Sequence, residues 1–530
     1  MSGLVVRLIA FALLGVAAFP PLPTGPLIFI ALVPLIDAVR LAEAASADDR
    51  RQGRRAALLI GLGGALFFFL LLHWLLFVPP EEVTVPGLMV PATLAAALYL
   101  GLYVWLAQAA ARRLVRLGLP LWLGLPVVWV GTEYLRTQTE LGCPWGLLGY
   151  ALTGTPVLMQ GAAWFGVFGV SLVVALVNGL VYAAWRVPGH RRRFAFLAAG
   201  VVAAMWVQGT VAIGRLPVPR TLEVAIVQGD IGRKIKFKRG MRRANVERMV
   251  ELTRMAIGEL PAPDSLVVGA PHARPDLVLW PETAAPCYFR LEPYCRVLIE
   301  ELVDRTGVPV ATGFPDLVLE EGEVKSKWNA ATVFLPGRGM VGQYNKVKLV
   351  PFGEAIPYQD RWTALRAIDF GEADFERGRG FVPLAFPAGD FGVMICFESI
   401  FPAAGREAAR RGATFFVNIT NDEWFGRSAG PYQHAAMATV RAIECRRGLA
   451  RAANTGVSFV VDRAGRHGPT TPLFEPRLLH GTVELGDGTT PYMRIGDLVP
   501  RACLLVTLVG ALIGWRRRPR ATGDITGSVA

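Results

Sequence analysis

Three short stretches carry side chains that together could run covalent acyl transfer. GVMICFES (392–399) sets Cys396 directly after an apolar run, with Glu398 two residues on. LWPETAAP (279–286) sets Glu282 just past another apolar run, after Trp-Pro. GQYNKVKLVPFGE (342–354) holds Lys346 and Glu354 eight residues apart, around a proline and a glycine. Taken singly, each has an ordinary explanation. A cysteine ending a strand is more often a small core residue, and a glutamate or lysine in a loop is usually solvated. Together they suit one chemistry. The thiolate is the nucleophile, and a free thiol is only a few per cent ionised near neutrality. A carboxylate can take the thiol proton, and an ammonium can stabilise the thiolate and then the oxyanion of a tetrahedral intermediate. A helix N-terminus just after the cysteine would act in the same direction.

Such groups need strands to place them. LEVAIVQG (222–229), DLVLW (276–280), VPVATG (308–313), NAATVFL (329–335), FGVMI (391–395), ATFFVNIT (413–420) and GVSFVVD (456–462) read as short buried strands. Helical stretches alternate with them. Over 241–260, Val246, Met249, Val250, Thr253 and Ala256 share one face, with Glu247, Arg248, Glu251 and Arg254 opposite. A second helical stretch (403–412) follows Cys396 and makes its turn a strand-to-helix elbow. The alternation predicts an α/β domain over 216–492, with helices covering sheet faces and reactive groups at strand ends.

The rest of the chain is a membrane sequence. Of 530 residues, 53% are hydrophobic and 18% charged, against roughly 25% charged in a soluble domain. Apolar runs cover 4–20, 25–39, 56–78, 87–111, 118–132, 161–185, 194–213 and 498–515. A spanning helix takes roughly 17–25 residues, so the first, second and fifth are short for an upright span. Arg7 before the first run would suit a signal peptide, but no small-residue cleavage site stands out, and the run is read as a retained helix. About eight spans are expected: an N-terminal set in 1–215, one at 493–518, and a tail at 519–530. Basic clusters fall in every second loop: Arg50, Arg51, Arg54 and Arg55; Arg112, Arg113 and Arg116; Arg186 and Arg191–Arg193; Arg516–Arg518 and Arg520. Glu81 and Glu82 lie in a loop of the opposite set. The excess of Lys and Arg in cytoplasmic loops then puts both termini inside and residues 214–497 outside. The net charge of +13 has this topological reading and gives no ground for nucleic-acid binding.

Six cysteines occur without a CxxC pair or a Cys/His grouping of zinc-ligand spacing, so neither metal nor other cofactor is expected. Cys287 and Cys295, on the outer side, could pair as a disulfide.

WPE, YNKxxLVPFGE and ICFE, in that order, resemble the nitrilase superfamily, whose members use a Glu–Lys–Cys triad on a four-layer αββα sandwich. The helices flanking this domain narrow the resemblance to the apolipoprotein N-acyltransferase family, its membrane-embedded branch. LVPFGEAIP (349–357), NDEWFG (421–426), RAIECRRGLARAANTGVS (441–458), and EYLR with CPWGLLGY (133–150) are similar to it as well. The resemblance implies that Cys396 takes an acyl chain from a phospholipid as a thioester, with Glu282 as base and Lys346 as oxyanion partner. The chain then passes to the α-amine of a diacylglyceryl-cysteine apolipoprotein, at the periplasmic face of the bacterial inner membrane. It also implies that Glu354, Glu398, Trp424 and Trp145 support the site.

Two positions depart from the pattern: Phe397 stands where relatives often have Tyr, and Phe237 where some have Trp. Segment 355–382, with Tyr358, Trp362, Ile368, Phe370 and Phe375 among its apolar residues, reads either as a packed helix or as an aromatic arm that touches lipid and gates the site. Two other functions compete. A membrane-anchored nitrilase-type amidase would use water in the second step, but needs no multi-helix platform. A transporter or scaffold would leave paired charges or broken helices inside the spans, where Glu133 and Arg136 are the main case.

Overall fold

The structure, a computed structural model, describes residues 2–79, 87–236, 238–270, 274–359, 361–362, 365 and 375–515. The chain divides into two compact units. One holds Met1–Phe77, Pro86–Leu216 and Ile495–Ala530; the other holds Val78–Val85 and Pro217–Arg494.

The first unit is helical. Among its described residues, four helices are long and apolar enough to cross a membrane: Arg50–Leu71, Met89–Arg116, Ala162–Arg186 and Arg191–Gly214. Ser2–Ala17, Leu121–Leu135 and Leu498–Gly514 are shorter and apolar. The run at 25–39 is not one helix. It breaks into a 3-10 turn Gly25–Leu27, a single turn Ile28–Ala31, and a helix Val33–Asp48 that opens on Pro34 and carries on into polar sequence. The basic clusters of the second and third loops lie largely within helices. Arg112 and Arg116 form ion pairs with Glu43 at 2.6 and 2.8 Å, and Arg186 pairs with Asp37 at 2.9 Å. Glu81, Glu82 and Arg516–Arg518 lie outside the described residues.

In the second unit, the described residues form twelve strands in two sheets. They are β1 (Arg220–Gln228), β2 (Val267–Val268), β3 (Leu277–Leu279), β4 (Val310–Glu320), β5 (Glu323–Leu335), β6 (Gly339–Asn345), β7 (Phe391–Ile395), β8 (Phe415–Thr420), β9 (Leu449–Ala453), β10 (Phe459–Val461), β11 (His467–Thr470) and β12 (Arg477–Leu485). One sheet runs β2-β12-β1-β3-β4-β5-β6, the other β11-β10-β9-β8-β7. Each has a parallel centre (β1, β3 and β4; β7, β8 and β9) continued by antiparallel strands.

Alternation along β1 explains the layering. Leu222, Val224 and Ile226 face the second sheet's Val393, Val417 and Phe459 in one core. Ala225 and Val227 point the other way, against Val246, Met249 and Ile299 of helices Arg242–Ala256 and Pro293–Thr306. On the far side, Ala404, Ala408 and Ala442 of helices Pro402–Arg410 and Gly430–Cys445 pack onto the second sheet. The layers therefore run αββα. Cys287 and Cys295 are joined as a disulfide.

Candidate active site

Glu282, Lys346 and Cys396 each sit where a strand runs out. β3 ends at Leu279, and Trp280 then buries its ring and donates Nε1–H to Thr253 Oγ1 at 2.8 Å. That anchor turns the chain so that Glu282 comes next, still only 7% exposed. Thr283 follows at φ 48°. The turn lies so close on β4 that a Cβ at Gly313 would fall 2.7 Å from Thr283 N and 2.9 Å from Glu282 Cα, so glycine is required there. β6 delivers Lys346, whose amide donates to Asn329 O at 2.9 Å. β7 delivers Cys396, which has φ 50° and is half-buried.

The side chains converge. Lys346 Nζ lies 2.8 Å from Glu354 Oε1 and 3.4 Å from Glu282 Oε1. Asn329 Nδ2 donates to the same two oxygens, at 3.0 and 2.7 Å. Glu282 Oε2 accepts from the amide of Asn421 at 2.9 Å, and the Glu282 carbonyl accepts from buried Lys236 Nζ at 2.8 Å. Burial opposes the charge on Lys346, but Glu354, Glu282 and Cys396 outweigh it and hold the ammonium charged well above its ordinary range. Burial and the nearby Glu282 carboxylate push the Cys396 thiol up, while Lys346 pulls it down. The resting state is thus a thiol beside a carboxylate and an ammonium, arranged so that moving one proton creates a thiolate next to the cation.

Glu398 has a different role, set by geometry. Its Oε1 accepts from the amides of Val347 and Lys348 at 2.6 and 3.1 Å, and its Oε2 from the amide of Ile395 at 2.8 Å. Tyr344 OH donates to both oxygens, at 2.8 and 2.9 Å. One buried carboxylate therefore brackets the lysine strand to the cysteine strand. Burial lifts its pKa to about 7, against the pull of the Ile395 amide and Lys346. Glu354 similarly closes its own turn, accepting from the Val350 amide at 2.9 Å.

The thiol does not sit at a helix N-terminus, contrary to the strand-to-helix elbow expected from sequence. Cys396 opens a 3-10 turn, Cys396–Ile400, and the helix Pro402–Arg410 starts six residues later because Pro402 favours a helix's first turn. Of the four supporting aromatic candidates, three lie among the described residues. Phe397 packs edge-on against Phe401 at 5.1 Å between ring centroids. Trp424 is half-buried in the turn Asp422–Phe425. Phe237 lies outside the described residues. Trp145 belongs to the helical unit, where its ring lies 4.9 Å from that of Trp74 and its carbonyl accepts from Arg136 at 2.7 Å. In the segment 355–382, residues 355–359 run through turns and Trp362 stands 65% exposed. Residues 360, 363–364 and 366–374, with Ile368 and Phe370, lie outside the described residues.

Asn329, Asn421 and Tyr344 escaped the reading of the sequence. Asn421 opens NDEWFG and Tyr344 opens YNKxxLVPFGE, so both belong to stretches that mark the site. Asn329 had no signal beyond its place in a strand.

Residues 11–180 match the apolipoprotein N-acyltransferase N-terminal domain, and residues 223–490 match the carbon-nitrogen hydrolase family. An apolipoprotein N-acyltransferase of Geobacter metallireducens is 35% identical over 79% of this chain and 79% of its own length. One from Rhodopseudomonas palustris is 31% identical over 97% of this chain and 95% of its own. Among solved structures, a carbon-nitrogen hydrolase from Helicobacter pylori G27 aligns with 53% of this chain and 92% of its own, at 18% identity and a TM-score of 0.38.

Proposed function

The chain belongs to the apolipoprotein N-acyltransferase family, and we propose that it moves an acyl chain from a phospholipid, through a thioester on Cys396, to the α-amine of a diacylglyceryl-cysteine apolipoprotein. The observation that carries the residue assignment is the convergence of Lys346 with Glu282 and Glu354 beside the half-buried thiol.

Glu282 takes the thiol proton as sulfur adds to the acyl carbonyl. Lys346 steadies the oxyanion. Collapse breaks the ester C–O bond, and the lysophospholipid oxygen leaves with the proton from Glu282. In the second half, the amine adds to the thioester and gives a proton to Glu282. The C–S bond breaks, and the thiolate recovers its proton. Glu354 keeps Lys346 aimed while Glu282 is protonated. Glu398, Phe397, Trp424, Trp145 and Phe237 support the site. The same residues could pass the acyl group to water, but family membership favours the amine.

The long apolar helices make this a membrane-embedded protein. About eight spans, with the α/β domain on the periplasmic face of the inner membrane and both termini cytoplasmic, follow from the basic clusters. The Cys287–Cys295 disulfide supports that side, since such bonds persist in oxidising compartments. Single cysteines at Ser46, Gly189 and Asp487 of a variant with no other cysteine test it in whole cells. Position 487 should react with an impermeant thiol reagent, and 46 and 189 only after lysis.

The central test is intact-mass analysis of the purified protein after incubation with phospholipid. An acyl adduct on Cys396 that a diacylglyceryl lipopeptide discharges is expected. An N-acylated product formed without any adduct would overturn the thioester route.

A further inference from the structure

The carbonyl of Cys396 is held by a second buried polar network, which meets the surroundings of its thiol through Thr420 and Asp422. Residue 396 is in the left-handed region, which is unfavourable for a side-chain-bearing residue and persists only where the surroundings impose it. The Cys396 oxygen accepts from Ser399 Oγ at 2.9 Å and lies 3.0 Å from His434 Nε2. A carbonyl oxygen can only accept, so Nε2 must carry a hydrogen. The other ring nitrogen, Nδ1, lies 3.1 Å from Arg451 Nη2. Nδ1 thus lies between a guanidinium, which can only donate, and the Asp422 carboxylate, which can only accept. Arg451 Nη2 gives its other hydrogen to Asp422 Oδ2 at 2.6 Å, while Asp422 Oδ1, 3.0 Å from Nδ1, takes the Thr420 hydroxyl at 2.8 Å. Burial and the Arg451 charge hold His434 below its ordinary range, consistent with a neutral ring.

The network also grips the strand that leads to the nucleophile. Arg451 Nη1 donates to Asn418 Oδ1, and Asn418 Nδ2 donates to Met394 O of β7 at 2.8 Å. His434 is 1% exposed, and Asn418, Asp422 and Arg451 are 0% exposed. A Cβ at Gly456 would come within 2.3 Å of Asp422 Oδ2, so the chain there passes directly over the carboxylate. Burying an aspartate and an arginine costs several kcal/mol per ion, and an apolar cluster would do as well if stability were the only demand. What an apolar cluster could not supply is a donor aimed at one strained carbonyl.

We infer that His434 is a positioning residue for acyl transfer: its Nε2–H, held in place by the contacts of Nδ1 with Arg451 and Asp422, keeps Cys396 in the left-handed turn that aims its sulfur. The inference rests on Cys396 being the nucleophile. Without the donor, residue 396 relaxes toward ordinary φ and the sulfur swings away. Lipid binding is unaffected.

The test compares the full-length protein with His434→Leu, which fills the space without a donor, and His434→Gln, which keeps an N–H. Acyl-adduct formation from phospholipid is followed by intact mass, and alkylation of Cys396 by iodoacetamide by peptide mass. A misplacement of about 1 Å can cost about a hundredfold, so the leucine variant should form adduct at least about thirtyfold more slowly at unchanged half-saturating lipid. Its Cys396 alkylation rate should also shift, and the glutamine variant should recover to within about tenfold of the parent. A leucine variant within about threefold of the parent, or leucine and glutamine variants equally slow, would overturn the inference. If the leucine variant does not fold, the glutamine variant decides. An unchanged pH profile supports positioning, and a lost limb would make His434 a titrating participant instead. If the parent itself forms no adduct, acyl transfer at Cys396 fails, while the alkylation arm still reports whether His434 places the thiol.

Discussion

Buried carboxylates occur in both units of this chain, but their surroundings carry opposite surpluses of charge. In the helical unit, Asp37 is met by Arg7, Arg40 and Arg186, and Glu43 by Arg112 and Arg116. In the α/β domain, one lysine, Lys346, is shared by Glu282 and Glu354. A carboxylate ringed by guanidinium groups is gripped by cations from helices other than its own. A carboxylate sharing one ammonium with another carboxylate can accept a proton, because the remaining pair stays balanced. The first arrangement ties helices together. The second can act as a base beside a thiol.

Removing the proposed nucleophile should have the largest effect. Cys396→Ala should abolish both the acyl adduct and the N-acylated product while expression and membrane insertion remain, read by intact mass and by a lipopeptide assay. Next in size are the charges around the thiol. Glu282→Gln and Lys346→Met should each slow acyl-adduct formation by at least about a hundredfold, as loss of a positioned base or an oxyanion partner does. Single-turnover kinetics with phospholipid measure this. A mild loss at Glu282 would mean that Glu354, the other carboxylate on Lys346, serves as the base.

Glu398 should give a smaller, pH-dependent effect. Its pKa in the folded chain is about 7, against an ordinary 4.5. Between those values the folded chain keeps a proton that the unfolded chain has released. This group's contribution to stability is therefore full at low pH and is lost as pH rises through about 7. Activity should run the other way, since the ionised carboxylate accepts from Tyr344, Val347, Lys348 and Ile395 and holds the two strands in register. Adduct formation should fall, by about tenfold per pH unit at most, as pH drops below about 7. Glu398→Gln should be slower throughout and lack that limb. A rate profile unchanged by this substitution would exclude Glu398 as its cause.

The same contrast sorts what the sequence made legible. Strand ends are marked by apolar runs that stop at Pro, Gly or a charge, so Cys396 and Glu282 stand out from local pattern, whereas the choice of Lys346 over Lys348 rests on the resemblance. Glu398 and Glu354 stand in the same stretches, but their supporting roles come from resemblance; the partners of Glu398 are mostly backbone amides, which leave no pattern in side-chain types. Asn329 and His434 are tertiary: Asn329 meets Glu282 from 47 positions away and His434 meets Cys396 from 38. The arginines carry a second, structural part that charge counting does not reveal. Arg112, Arg116 and Arg186 count as loop charges in a topology argument, yet their side chains fold back onto Asp37 and Glu43. The short apolar run at 25–39 likewise hid a break, because Pro34 lies inside it.

In the helical unit the expected loss is of stability and not of chemistry. Asp37→Asn leaves three guanidinium groups without their carboxylate. Breaking a buried pair this way typically costs about 3–5 kcal/mol. The variant should melt earlier in detergent and accumulate to lower levels, while the acylation rate per folded molecule stays within about twofold. A rate loss as large as that of Lys346→Met would mean that the two clusters are coupled.

The smallest effect is expected two residues from one of the largest. Lys348 shares the loop with Lys346, and an extended chain turns residues two apart to the same side, so charge and spacing alone do not separate them. The structure does. Lys346 Nζ is buried between two carboxylates, whereas Lys348 Nζ lies 5.4 Å from the centre of the Phe401 ring. Such a contact is worth about 0.5–1 kcal/mol at an accessible site. What Lys348 gives to the site is its amide, which donates to Glu398 and survives any change of side chain except to proline. Lys348→Met should therefore acylate within about twofold of the parent, with the small loss appearing in thermal stability through the Phe401 contact. Measured beside Lys346→Met in the same single-turnover assay, an equal loss at both positions would show that general positive charge along this loop drives the reaction, and the assignment of Lys346 as the oxyanion partner would fall.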